Sequence, residues 1–203
     1  MLTQVQKNGQ SYNEIVNEWS AYRNQRPVNK CIEEFCTYLP KCAHILDIGC
    51  GTGYPIAWHC CKQGFSVVGL DVAENMLTKA QALGLQNAQF FHADFLDFQT
   101  QERFDGVIAF DCLWHIEESL QPTVYEKVAS MLKSGGYLLF THGKRTSTVT
   151  GKMFGAEFVY SALDKDEVKT LLIRHGFEIV RWEEDYIEKT TGDRELLVVA
   201  KKK

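Results

Sequence analysis

Acidic residues and a run of alternating glycines are the part of the sequence best suited to binding a ligand. Gly49, Gly51 and Gly53 follow at two-residue spacing after a short apolar stretch that contains Asp47. Glycines at such a turn let the backbone approach a ligand and point free N–H groups at it. Asp71 follows Gly51 by 20 residues, the distance at which an acid on a second strand reaches a ribose in nucleotide-binding βαβ units. The spacing therefore predicts a nucleoside site.

The identity of the nucleoside cofactor is not decided by Asp71, because NAD enzymes use the same acid to hold ribose hydroxyls. A dinucleotide fingerprint requires Gly-x-Gly-x-x-Gly, and its third glycine place is occupied by Tyr54. This departure disfavours an NAD(P)-dependent oxidoreductase. A glycine run that only forms a loop with positive φ is the other alternative.

The elements that would carry these residues alternate along the chain. Strands are predicted at 43–48, 65–70, 88–93, 104–110 and 137–141, with helices at 54–63, 73–83, 118–132 and 164–175. Two amphipathic helices at 11–25 and 28–39 precede them, and strands at 177–184 and 195–200, joined by a polar turn around Thr191-Gly192-Asp193, close the chain. This alternation predicts an α/β three-layer sandwich.

Two landmarks carry a resemblance to a known family. Residues 47–53 resemble motif I of the class I S-adenosylmethionine (SAM) dependent methyltransferases, Asp/Glu-x-Gly-x-Gly-x-Gly, and residues 132–140 resemble their recurring helix-to-strand corner. The resemblance implies a Rossmann-like, seven-stranded sheet of order 3-2-1-4-5-7-6 with the last strand antiparallel. It also implies one domain over 1–203, made of a helical cap (1–40) and a core (41–203), that transfers the methyl group of SAM and releases S-adenosylhomocysteine.

The same resemblance implies which residues hold the cofactor. It places Asp47, Gly49 and Gly51 at the methionine end, Asp71 at the ribose, and Asp94 and Phe95 at the adenine. Further cofactor-binding residues are expected along the same strand ends: Cys50, Tyr54, Val72, Met76, Phe110 and Asp111. Asp94 also has the alternative of a simple turn-forming residue after a strand.

The residues that would contact the methyl acceptor are less clearly marked in the sequence. His115 follows the fourth strand and is the candidate general base, since an imidazole accepts protons near neutral pH; the alternative is a histidine packed beneath the next helix. Substrate contacts are expected from aromatic and histidine side chains of the leading helices and the strand ends: Tyr12, Trp19, Tyr22, Trp114 and His142. Residues 142–158 are polar and long for a connection, so we expect a functional or disordered loop.

The absence of two family motifs restricts the chemical class of the methyl acceptor further. The Asn/Asp-Pro-Pro-Tyr/Phe element of enzymes that methylate amide or nucleobase amino groups is replaced by Asp111-Cys112-Leu113-Trp114. No catechol-type Asp…Asp-Asn set stands out, so we expect no metal. We therefore expect a small, partly apolar molecule with an O, N or C acceptor atom. Alternatives are a protein or RNA acceptor, or a SAM-binding regulatory or scaffold protein without transferase activity.

Composition fits a reducing, cytoplasmic setting. The 203 residues carry a formal net charge of -4 and 7 cysteines without Cys-x-x-Cys spacing. This charge gives no general affinity for nucleic acid or anionic membrane, and no stretch is long and apolar enough to span a bilayer. The expected partner is a small-molecule substrate, and the expected state is a monomer or homodimer.

Overall fold

The computed structural model describes residues 2–188 and 192–203. Its helices are α1 (Gln4–Glu14), α2 (Val16–Asn24), α3 (Lys30–Cys36), α4 (Ile56–Lys62), α5 (Glu74–Ala82), α6 (Gln121–Met131) and α7 (Lys165–Arg174), with 3-10 turns at Leu113–His115 and Glu118–Leu120. Its strands are β1 (His44–Ile48), β2 (Ser66–Asp71), β3 (Ala88–His92), β4 (Phe104–Ala109), β5 (Leu132–His142), β6 (Ser147–Met153), β7 (Ala156–Ala162), β8 (Phe177–Tyr186) and β9 (Arg194–Lys202). Thr191, in the expected last turn, lies outside the described residues.

A seven-stranded sheet of order β3-β2-β1-β4-β5-β9-β8 forms the centre of the molecule. β1 to β5 pair in parallel, and β9 runs antiparallel to both β5 and β8. Because β6 and β7 form a separate sheet, this order is the predicted 3-2-1-4-5-7-6, and the fold prediction is confirmed. The strand order reverses between β1 and β4, and a crevice opens at the carboxyl ends of strands at such a point.

Apolar layers cover both faces of the sheet, as parallel strands require. Ile32 and Phe35 of α3 are fully buried and pack with α4 on one face. Tyr125 of α6 and Leu172 of α7 pack in the layer on the other face. α3, which the sequence grouped with the cap, is thus part of the layer that packs on the sheet. Within the described residues no helix is long and apolar enough to cross a membrane.

The leading helix expected at 11–25 is two helices. α1 begins seven residues earlier than predicted, at Gln4, where Thr3 forms a capping box with Gln6. The chain then breaks at Ile15, whose φ of -103° and ψ of 13° are not helical. The Ile15 side chain is buried in a small apolar cluster with Phe158 of β7. The boundary prediction missed this break because the cluster joins segments far apart in sequence.

Residues 142–158 do not form the irregular loop that their polarity suggested. β5 extends to His142, and β6 and β7 then form an antiparallel hairpin whose two-residue turn is Phe154-Gly155. Both turn residues have positive φ, 49° and 90°, as hairpin turns of type I′ require. Phenylalanine at the first turn position is unusual, so the usual Asn-Gly or Asp-Gly signal was absent. β7 lies against α1, and the hairpin joins the helices that cover the cleft.

Candidate functional site

A cleft enclosing about 1050 Å³, its open mouth included, lies at the carboxyl ends of the central strands beneath α1 and α2. The sequence-predicted residues that line it are Tyr12, Trp19, Asp47, Gly49, Cys50, Gly51, Tyr54, Asp71, Val72, Met76, Asp94, Phe95, Phe110, Asp111 and His115. The fold therefore brings most of the predicted residues to one place.

The glycine loop forms one wall in a conformation that side chains would obstruct. Gly49 and Gly51 have φ of 69° and 55°, a region that costs other residues steric energy. A Cβ on Gly49 would lie 2.6 Å from the Cβ of Cys112. On the opposite side, the Trp19 indole nitrogen is the nearest atom to a Cβ built on Gly51, at 3.9 Å. The backbone is thus exposed to whatever enters between the loop and Trp19.

Asp71 is fixed by two backbone donors. The Gly51 and Ala73 N–H groups each donate to one of its carboxylate oxygens at 2.8 Å. Burial raises the pKa of Asp71, and these two hydrogen bonds act in the opposite direction. Each carboxylate oxygen has two acceptor sites, so the group retains capacity for two further donors, such as the vicinal hydroxyls of a ribose.

Asp47 is a buried carboxylate with an unsatisfied oxygen. The residue is 2% exposed, and its Oδ2 atom has no hydrogen-bond partner among the described residues. Burial, followed by the charge of Asp71, raises the pKa of Asp47 to about 8. An unpaired carboxylate in such surroundings is costly, so the site is complementary to a cationic hydrogen-bond donor.

Arg23 supplies the opposite charge, and sequence reasoning missed it. This α2 residue is 6% exposed and lines the cleft. Its guanidinium donates to Asn29 Oδ1 at 3.3 Å, and no carboxylate lies within ion-pair distance of it among the described residues. Burial lowers the pKa of Arg23, while the charge of Asp111 acts in the opposite direction. The signal was its position four residues after Trp19, which places both side chains on one helix face.

Asp94 and Phe95 form the other end of the cleft. The Leu96 N–H donates to Asp94 Oδ1 at 2.9 Å, and burial raises the pKa of this carboxyl. α1 covers this end through Gly9, where an added Cβ would lie 2.9 Å from the Val72 side chain. Gly9 is a second residue that the sequence did not single out, because nothing local marks a helix position that must be small.

Asp111 is held in an ion pair within the protein. Its φ of 59° is in the left-handed region, its N–H donates to Thr141 Oγ1 at 2.8 Å, and the Thr141 hydroxyl donates back to Oδ1. Arg194 donates from Nε to Oδ1 at 2.5 Å and from Nη2 to Oδ2. This bidentate pair uses both carboxylate oxygens, so Asp111 shapes the wall of the cleft as a neutralised group.

His115 is buried beneath the leading helices. Its Nδ1 lies 2.9 Å from Asn8 Nδ2, and its Nε2 lies 3.0 Å from the Tyr12 hydroxyl oxygen. Burial lowers the pKa of His115 to about 4, although the carbonyl of Val159 acts against this. The imidazole is therefore neutral at physiological pH, and it reaches the cleft together with Tyr12.

Three of the expected substrate contacts do not line the cleft. Tyr22 stacks on the outer side of Trp19 with a centroid separation of 5.8 Å. The Trp114 carbonyl accepts a hydrogen bond from Gln4. His142 is 1% exposed, and its Nε2 lies 2.9 Å from Gln121 Oε1 in a buried network. The aromatic pattern predicted Tyr22 together with Trp19, but only the Trp19 ring lines the cleft.

Comparison with known proteins finds methyltransferases among the similar sequences. A family model described as a methyltransferase domain matches residues 45–136. A protein of Geobacillus sp. (strain WCH70) that carries a methyltransferase name is 34% identical over 137 residues, 64% of this chain and 53% of the relative. A ubiquinone biosynthesis O-methyltransferase of Coxiella burnetii (strain Dugway 5J108-111) is 27% identical over 160 residues, 76% of this chain and 66% of the relative. The chain thus spans about half to two thirds of these curated relatives.

Solved structures share the fold. A SAM-dependent methyltransferase of Methanosarcina mazei has a TM-score of 0.72 at 22% identity, covering 87% of this chain and 98% of that one. The 1,6-didemethyltoxoflavin-N1-methyltransferase of Burkholderia thailandensis has a TM-score of 0.71 at 20% identity, covering 95% and 84%. Fold and cleft define a Rossmann-like class I methyltransferase architecture. The family model and the named relatives confirm the resemblance of this chain to class I SAM-dependent methyltransferases.

Proposed function

We propose that this protein transfers the methyl group of SAM to an O, N or C atom of a small molecule. The observation that carries the proposal is that a carboxyl group and a guanidinium group are both buried in the cleft. Asp47 has a buried carboxylate oxygen without a partner among the described residues, and Arg23 has a buried guanidinium without a carboxylate partner in the same part of the chain. Together they complement an amino-acid zwitterion, which SAM carries and NAD does not.

The hydrogen-bonding groups in the cleft match those of SAM. Asp47 would accept from the ammonium group and Arg23 would donate to the carboxylate, each relieving the cost of a buried unpaired charge. Asp71 has free acceptor sites for the ribose hydroxyls. Asp94 and Phe95, with the nearby Val72 and Met76, supply an acceptor and an apolar wall for the adenine.

When bound, SAM would supply a methyl group that its positively charged sulfur activates for in-line attack by an acceptor lone pair. The protein's task is then to hold both partners within about 3–3.5 Å of each other and to exclude water. α1 and α2 serve this task by covering the cleft with Gly9, Tyr12 and Trp19. Asp111, neutralised by Arg194, leaves this part of the wall without a free anion.

Two observations favour a small-molecule acceptor: the elements that close the cleft are short, and the names of similar methyltransferases refer to small molecules. The names of two similar proteins describe O-methylation in ubiquinone biosynthesis and N-methylation of 1,6-didemethyltoxoflavin. In this chain the cleft is closed by short helices and one hairpin, and the remaining space beside the cofactor residues is lined by Tyr12, Cys112 and His115. We therefore assign the acceptor to this side.

Calorimetric titration of S-adenosylhomocysteine, adenosine and NAD tests the proposal. The wild-type chain should bind S-adenosylhomocysteine far more tightly than adenosine, and NAD least. Arg23→Leu should weaken S-adenosylhomocysteine roughly 10- to 100-fold, because a charge-assisted hydrogen bond is worth about 1.5–3 kcal/mol, and leave adenosine unchanged. Arg26→Leu, one turn further along and outside the cleft, is the matched control. Equal affinity for adenosine and S-adenosylhomocysteine, or tighter binding of NAD, would contradict the proposal.

A further inference from the structure

The side-chain amide of Asn8 has only one possible orientation. Its Oδ1 accepts from the Val159 N–H at 2.9 Å, and its Nδ2 donates to the Val159 carbonyl at 2.7 Å. Exchanging the two amide atoms would set N–H against N–H and oxygen against oxygen. The backbone of β7 therefore identifies the atom that faces His115 as an NH₂ group.

This orientation determines the tautomer of His115. The Asn8 Nδ2 atom lies 2.9 Å from His115 Nδ1, and because it has only hydrogens to offer, Nδ1 must be the unprotonated acceptor. A neutral imidazole then carries its proton on Nε2. That N–H points at the Tyr12 hydroxyl oxygen, 3.0 Å away. The low pKa of His115, about 4 because of burial, keeps the ring neutral.

Tyr12 consequently has a hydrogen to donate. Its oxygen accepts from His115, and no acceptor for its own hydrogen is present among the described residues. The residue lines the cleft. Burial, with the charges of Tyr160 and Asp71 next in size, raises the pKa of Tyr12 well above its ordinary value, so the hydroxyl stays protonated.

We propose that Tyr12 is the hydrogen-bond donor to the methyl acceptor, that Asn8 and His115 are positioning residues that aim its hydroxyl, and that the acceptor is an ionised phenol or enol. This inference rests on the proposed function and deepens it. His115 then acts through Tyr12 and does not remove a proton, because its Nε2 is already protonated and its Nδ1 is engaged by Asn8.

The ionised acceptor follows from the lack of a free base on the acceptor side, since the proposed function assigns Asp47 to the ammonium group of SAM and Asp71 to the ribose hydroxyls. Asp111 is paired with Arg194, and Asp71 is held by two N–H donors. An oxyanion brings its own lone pairs: one accepts the Tyr12 hydrogen and another forms the bond to the methyl carbon. The carbon–sulfur bond breaks with its electron pair retained by sulfur, so the sulfonium becomes a neutral thioether and no proton has to be removed.

Long-range ¹H–¹⁵N spectra of the ¹⁵N-labelled, ligand-free chain test the tautomer directly. His115 should give the pattern of an Nε2–H ring, its signals identified by their loss in His115→Gln. Asn8→Asp replaces the NH₂ donor by an acceptor and should convert the ring to the Nδ1–H form. Asn13→Asp, on the same helix but hydrogen-bonded to Asn75, should leave it unchanged. An Nδ1–H ring in the wild-type chain would overturn the proposal.

Binding of 4-nitrophenolate in the presence of saturating S-adenosylhomocysteine tests the donor. Tyr12→Phe should weaken the probe roughly 10- to 100-fold without changing the affinity for S-adenosylhomocysteine. Tyr22→Phe, outside the cleft, is the control. His115→Gln can accept from Asn8 and donate to Tyr12, so it should retain the probe, whereas His115→Phe should lose it.

The outcomes separate this inference from the proposed function. Equal binding of 4-nitrophenolate by the wild-type chain and Tyr12→Phe, or no binding by the wild-type chain up to millimolar concentration, overturns the phenolate assignment. Failure of the wild-type chain to bind S-adenosylhomocysteine instead contradicts the proposed function. The tautomer spectrum is recorded without any ligand, so it tests the orientation of His115 in either case.

Discussion

The two sides of the cleft are built in different ways. On the cofactor side, Gly51 lies in the loop after β1 and Asp71 lies 20 residues later at the end of the neighbouring strand β2, and one hydrogen bond joins them. On the acceptor side, Tyr12 meets His115 across 103 residues, and Asn8 meets Val159 across 151. The first side is encoded in short motifs, whereas the second exists only when the leading helices, the β4 end and the hairpin pack together.

The two sides also differ in charge. The cofactor side collects carboxyls whose pKa values burial raises, Asp47 and Asp71 among them, and it faces the guanidinium of Arg23. The acceptor side is neutral: Asn8, Tyr12 and His115 are uncharged at physiological pH. Under the proposed function, a charged ligand end is recognised on one side and an oriented hydroxyl is offered to the acceptor on the other.

The largest loss of unfolding free energy is expected from Gly49→Ala, because this position on the cofactor side has a very close contact with a neighbouring side chain. Its positive φ costs about 1–2 kcal/mol for alanine, and the contact of 2.6 Å with the Cys112 Cβ adds about 1–3 kcal/mol of overpacking. Urea unfolding should show a loss of about 2–5 kcal/mol. Gly64→Ala, which has φ of 84° but open space around it, should lose only the backbone contribution. Equal losses would show that the Cys112 contact is unimportant.

This contrast explains how much of the molecule could be predicted from its sequence. Local spacing predicted the alternating strands and helices, the glycine turn and the acid at the next strand end. The sheet order and the roles of the cofactor-side residues came from the family resemblance that these motifs carry. Arg23 and Asn8 could not be found in this way, since their roles depend on partners that only the folded chain supplies. The β6–β7 hairpin was missed because Phe154 occupies a turn position that sequence rules assign to Asn, Asp or Gly.

Asp71→Asn should weaken S-adenosylhomocysteine binding roughly 10- to 100-fold. The amide loses the charge that strengthens hydrogen bonds to ribose hydroxyls, and its NH₂ group must oppose the N–H of either Gly51 or Ala73. Calorimetry measures the change, with Asp97→Asn on the exposed loop as control. Tyr12→Phe is expected to leave this affinity unchanged. If Asp71→Asn and Tyr12→Phe lost the same affinity for S-adenosylhomocysteine, the proposed division into a cofactor side and an acceptor side would be wrong.

A pH-dependent effect is expected from Asp47. Its pKa of about 8 exceeds the ordinary 3.8, so between about pH 4 and pH 8 the folded chain holds a proton that the unfolded chain has released. The contribution of Asp47 to the free energy of unfolding therefore falls as pH rises through this window, by up to about 1.4 kcal/mol per unit. Asp47→Asn should remove this fall. The free energy of unfolding of the variant, relative to that of the wild-type chain, should therefore rise as the pH approaches 8.

The ionisation of Asp47 should also be detectable when a ligand binds. An ammonium beside Asp47 favours the ionised carboxylate, so binding of S-adenosylhomocysteine near pH 7 should release a proton, whereas adenosine should release none. Calorimetry in two buffers of different ionisation enthalpy counts that proton. The absence of proton release in the wild-type chain, or its persistence in Asp47→Asn, would remove the ammonium from this position.

The smallest effect is expected from Ser11→Ala, at the edge of the acceptor side. The Ser11 hydroxyl donates to the Glu157 carbonyl at 2.6 Å in an exposed position, so its loss should cost about 0.5–1 kcal/mol of unfolding free energy. Ser130→Ala removes a hydroxyl bonded within its own helix and serves as control. Because Asn8 keeps both hydrogen bonds to Val159, the His115 tautomer and 4-nitrophenolate affinity should not change. If they do change, the hairpin is aligned on α1 by the whole row of contacts, and the orientation of Tyr12 depends on more than the Asn8 amide.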